Sequence, residues 1–143
     1  MRTTSLVLVL LLNSGLAIAQ PIETEYSNSP DQLRRNYVAA IERKDKHEAW
    51  RLFCPATTSA RISQMYRAVV EDTVSLPISV VELASLPERT ETIPHSVPLL
   101  GRLVFRYDLS KQTGPHRIGT QFLYYGKSPA GFCVALPEML EKE

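Results

Sequence analysis

A carboxylate held among apolar side chains can act as a general base in proton abstraction. Asp108 is the candidate for that role, as the one acid inside the strongly strand-like segment from Leu99 to Leu109. Alternation sets it apart from the core: Leu103, Phe105, Tyr107 and Leu109 share one face, and Arg102, Arg106 and Asp108 the other. An exposed ion pair between Asp108 and Arg106 is the expectation, and no catalytic residue is assigned. Asp45 precedes a helix and is explained as its N-cap. His47, His95 and His116 fall beside a cap, between prolines and beside a turn, and each reads as solvated. No His-x-x-x-His or Glu-x-x-His spacing occurs, so no metal site is expected. There is no Gly-x-Ser-x-Gly elbow and no glycine-rich phosphate loop, and no cofactor is expected.

Thiol chemistry rests on Cys54 and Cys133, the two cysteines of the chain. Neither belongs to a Cys-x-x-Cys pair or has a histidine close by in sequence, which removes the usual settings of reactive or metal-bound thiols. A structural disulfide is expected instead, joining the end of a helix to the last strand. It would close a loop of about eighty residues and contribute roughly 4 kcal/mol.

The remaining chemical resource is aromatic. Tyr37, Trp50, Tyr66, Phe105, Tyr107, Phe122 and Tyr124 fall on the expected inner faces of helices and strands. As core they supply bulk. As the lining of a pocket, their hydroxyls would offer donors to a bound small apolar ligand.

The elements that position these residues follow from periodicity. Ser29-Pro30-Asp31-Gln32 carries a cap, a first-turn proline and a capping-box Gln, opening a helix to about residue 44. Asp45-Lys46-His47-Glu48 repeats the cap for a short second helix, which Pro55 ends. A third helix fits 58–73, with Ile62, Met65, Tyr66, Val69 and Val70 as its stripe. The period then changes to two, with strands expected over 78–86, 99–109, 118–124 and 132–136. Helices first and strands after make an α+β fold: N-terminal helices packed against a curved antiparallel sheet of about four strands.

Residues 1–19 read as an export signal. Arg2 leads the apolar run from Leu6 to Leu12, and Ala17-Ile18-Ala19 supplies a cleavage site after Ala19. The run is far shorter than the roughly 20 residues that a membrane span requires. Residues 20–28 are expected as a flexible lead-in, and 29–143 as a single cone-like domain. Sixteen Lys and Arg against fifteen Asp and Glu become equal in number once Arg2 is removed. Such a balance argues against nucleic acid, whose binding surfaces need clustered excess positive charge, and offers no evident electrostatic reason to seek membranes. No Asn-x-Ser/Thr acceptor is present, which favours a periplasmic or secreted bacterial protein.

Tyr37 to Asp45, followed by Ala49-Trp50-Arg51-Leu52-Phe53-Cys54-Pro55, resembles the opening of the nuclear transport factor 2-like superfamily. The resemblance implies a strongly curved sheet wrapping the helices into a cone with an apolar pocket. Enzymatic members place an Asp base, or an Asp/His pair, and often a Tyr inside the cone, but no such set aligns here. The functional expectation is an exported, non-enzymatic domain binding a small apolar ligand or a protein. The alternatives are an isomerase or dehydratase working by general acid–base catalysis in the cone, and a scaffold or inhibitor acting through its sheet surface. A filled cone with an exposed apolar sheet face would point to a partner protein.

Overall fold

The structure, a computed structural model, describes residues 27–55, 59–89 and 93–138; the expected signal segment lies outside them. Capping sets where each helix begins. Ser29 Oγ accepts from the Gln32 N–H at 3.1 Å and opens α1 (Pro30–Glu42), which buries Leu33, Tyr37 and Ala40. Asp45 Oδ1 accepts from the N–H groups of His47 at 3.1 Å and Glu48 at 3.0 Å, opening α2 (Lys46–Arg51). Ser59 caps α3 (Ala60–Ser75), whose buried positions are Ile62, Val70, Thr73 and Val74.

The turn between α1 and α2 is built without glycine. Lys44 adopts a φ of 53°. The Lys44 N–H donates to Ile41 O at 2.9 Å and the Asp45 N–H to Ala40 O at 2.8 Å. These are the paired bonds of a Schellman close, which normally falls to glycine because a Cβ is strained there. Lys44→Gly is therefore expected to raise stability by about 0.5 kcal/mol after the entropy of the freer unfolded chain is subtracted. A higher urea midpoint at unchanged slope would show it. A lower midpoint would mean that the lysine side chain contributes more than its backbone conformation costs.

Strands β1 (Ile78–Ala84), β2 (Leu99–Tyr107), β3 (Thr120–Ser128) and β4 (Gly131–Val134) form one antiparallel sheet in sequence order. The sheet curls into a half-barrel after the helices, an α+β cone-like architecture. Its inner face presents Val81, Leu103, Phe105, Tyr107, Leu123 and Tyr125 to the buried residues of α1 and α3. Among the described residues, no helix is long and apolar enough to cross a membrane.

Two details of the strands differ from expectation. Strand β2 ends at Tyr107, and Asp108 caps a 3-10 turn at Leu109–Lys111, leaving Leu109 45% exposed rather than in the core. In β3 the inner face belongs to Leu123 and Tyr125, because Leu103 pairs with Leu123 and Gly101 with Tyr125. Phe122 and Tyr124, expected inside, lie on the outer face opposite Val104 and Arg102. Gly101 permits this phase: a Cβ there would stand 2.5 Å from Tyr125 Oη.

The β4 edge is closed by distant pieces of chain. The Phe132 N–H donates to Ser27 O at 2.8 Å, the Val134 N–H to Leu52 O at 2.8 Å, and the Cys54 N–H to Val134 O at 2.8 Å. Beside these bonds lies the expected disulfide, Cys54–Cys133, across a sequence separation of 79 with Cα atoms 5.0 Å apart. Both cysteines are buried, and no free cysteine exists among the described residues. A disulfide of this kind fits an oxidising, exported environment.

Candidate functional site

The inner aromatic side chains are used up by one another. Tyr37 and Phe105 are fully buried with ring centroids 5.1 Å apart. Thr73 Oγ1 donates to Val70 O at 2.9 Å, so its single proton is spent and the Tyr37 hydroxyl must donate to it across 3.1 Å. Tyr107 donates to Gln121 Oε1 at 2.8 Å. The hydroxyls of Tyr37 and Tyr107 are thus committed to the protein. Trp50 and Tyr66 are half-buried on the helical side, where Trp50 stacks on Phe53 at 4.8 Å and Arg67 covers its ring at 4.9 Å.

Burial pushes the Tyr37 phenol up to about 12. Tyr107 is raised as well, by burial first and then by the nearby Tyr37 and Asp72 charges. A phenol raised on folding favours the folded state below its ordinary pKa, and that contribution disappears as pH climbs through the folded value. Stability is therefore expected to hold to about pH 10 and to fall between there and about 12. Ultraviolet titration of phenolate absorbance should show Tyr37 and Tyr107 ionising late together with unfolding, with half-buried Tyr66 also raised by burial. Early, non-cooperative ionisation of every tyrosine would show that Tyr37 and Tyr107 are reached by water.

Asp108 stands at the turn after β2, outside the core. Its carboxylate accepts from the Ser110 N–H at 3.0 Å and from the Ser110 hydroxyl. These hydrogen bonds, with Lys111 at 3.8 Å, hold it below the usual carboxylate range. The expected pair with Arg106 does not form, because Arg106 Nε meets Glu82 Oε2 at 3.1 Å on the neighbouring strand. His47 and His116 are exposed as expected, whereas His95 is half-buried and meets the Tyr124 ring edge-on at 5.5 Å. Among the described residues, no three His, Cys, Asp or Glu side chains gather where a metal could bind.

An open groove of about 460 Å³ runs beside the α1–α2 turn, lined by Lys44, Lys46, Glu71, Val74 and Ser75. Lys46 Nζ and Glu71 Oε1 neutralise each other across it at 3.1 Å. None of the seven aromatic residues lines it.

The feature with the most unspent binding capacity is the outer face of the sheet. Strand register places side chains there in three rows: Val80, Arg106 and Thr120; Glu82, Val104 and Phe122; Ala84, Arg102 and Tyr124. Leu100 adds to the β2 column. Phe122 is 45% exposed, Val80 44% and Leu100 51%. The Phe122 and Tyr124 rings meet at 5.3 Å and 72°, while the Arg102 guanidinium lies 5.5 Å from the Phe122 centroid. Aromatic and arginine side chains at the centre of an exposed apolar patch are the composition of a protein-binding surface. This face escapes sequence reading because Phe122-Leu123-Tyr124-Tyr125 is apolar in both phases. Gly101 was the available signal, since a glycine inside a strand marks a close approach from its neighbour.

No protein-family model, curated protein or solved structure matches the chain.

Proposed function

We propose that this chain is an exported, non-enzymatic binding domain that engages a partner protein through the outer face of its sheet. The observation that carries the reading is the exposed Phe122, set among Val104, Tyr124 and Leu100 on a rigid four-stranded scaffold. Large aromatic side chains left in water are a standing cost in solubility, and a covering partner removes it. The committed hydroxyls of Tyr37 and Tyr107 favour this over a ligand held inside the cone. Membership of the nuclear transport factor 2-like superfamily belongs to the same proposal, supported by the order of helices before a curled antiparallel sheet. So do the signal segment over 1–19 and cleavage after Ala19, for which the buried disulfide is the supporting feature.

Site-specific photo-crosslinking tests it. A photoreactive phenylalanine analogue at Phe122, expressed in the native host, should give a discrete covalent adduct. The same analogue at Met65, an equally exposed position on α3, should give none. Equal labelling from both positions would sink the reading.

A further inference from the structure

Among the described residues, Arg102 is the outer-face cation without an acid partner. Its cross-strand neighbours are Ala84 and Tyr124, neither of which carries a carboxylate, and Glu82 is already held by Arg106. The Arg102 Nε donates to Ser85 O at 3.0 Å, and the guanidinium lies over the exposed Phe122 ring. Among the described residues, no acid forms an ion pair with it. Tethered at Nε and supported by the ring, the fork is held in place before any partner arrives, which lowers the entropy lost on binding.

Covering Phe122 strips water from Arg102 too, because the two are stacked. A cation buried without a counter-charge is strongly unfavourable, whereas a carboxylate matches the guanidinium fork. We propose that the partner segment docking on this face presents an Asp or Glu carboxylate to Arg102, flanked by apolar side chains that cover Leu100, Val104 and Phe122. A second copy of this chain is a poor occupant. The acid on its own corresponding rows is Glu82, which Arg106 occupies. The proposal rests on the sheet-face reading above and specifies the chemistry of what binds there.

A library of short random peptides is the probe, selected on the oxidised protein and counter-screened on Phe122→Ser. Peptides that depend on Phe122 should carry an acidic residue between apolar ones. Their affinity should fall about tenfold for Arg102→Gln and weaken with salt. Replacing the peptide's acid by its amide should cost the same factor, with no further loss on Arg102→Gln. Matching melting curves for wild type and both exposed-site variants keep the comparison within folded protein. Peptides that require Phe122 yet bind Arg102→Gln as tightly as wild type would overturn the carboxylate and leave the surface reading standing. Recovered binders indifferent to Phe122→Ser, or no binders at all, would overturn both. A wild-type dimer in sedimentation that Phe122→Ser dissolves would put a second copy in the partner's place and also end the proposal.

Discussion

Breaking the Cys54–Cys133 bond, as in the Cys54→Ala/Cys133→Ala double variant, is expected to remove about 4 kcal/mol of stability. The bond closes a long loop, with a sequence separation of 79, so the unfolded chain gains much freedom when it opens. For a domain of this size the melting temperature should drop by roughly 15 °C. Against a usual total of about 5–15 kcal/mol, the variant loses between about a quarter and four-fifths of its stability. Alanine avoids placing a hydroxyl where Cys133 is fully buried and Cys54 nearly so. The same burial predicts that reductant acts on the native protein only as fast as the protein opens. The reduction rate should therefore rise with urea in step with unfolding. Fast reduction without urea, or a double variant melting within about 2 °C of wild type, would show that the bond constrains little.

Gly126→Ala should be the most damaging single-methyl change. A Cβ at that position would stand 2.3 Å from Pro98 O and 2.5 Å from Val97 Cγ2. The first is backbone, so relief requires moving the crossing segment that leads into β2. Overpacking of this kind costs roughly 3 kcal/mol. Gly119→Ala is the matched control. Its Cβ would make only ordinary contacts with Leu109 at 3.8 and 3.9 Å, and the less flexible unfolded chain should leave it neutral or stabilised by about 0.5 kcal/mol. Urea melts of the two variants decide the matter; equal midpoints would mean that the crossing segment yields freely.

The helices were legible because their signals are local. Ser29 and Asp45 cap where their side-chain chemistry says they should, and the stripes of α1 and α3 follow the helical period. The fold class followed from the change of period after Pro77. Lys44 was not legible, since a left-handed lysine is imposed by the α1–α2 packing rather than by its own preference. Strand faces were harder. In β2 the arginines mark the outer side, but β3 offers Phe122-Leu123-Tyr124-Tyr125 without a polar residue to fix the phase. The phase is decided across the sheet, by the gap that Gly101 leaves for the Tyr125 ring. The binding surface shared the fate of that strand. An outer face hidden by a wrong phase cannot be recognised, and the partner of Arg106 was likewise set by the β1 register rather than by its neighbour Asp108.

The strand that ends the described sheet receives the pieces of chain that begin it: β4 is bonded by Ser27, Leu52 and Cys54. A ribosome delivers those pieces long before it delivers Phe132 and Val134. Until then Ser27, Leu52 and Cys54 have no strand to bond, and the Cys54 thiol has no mate within the chain. Completing the fold therefore waits on β4, a non-local closure of the kind that is slow. A chain stopped short of Phe132 is left with an open sheet edge and a single unpaired thiol. Those are the two features most apt to join it to another unfinished copy.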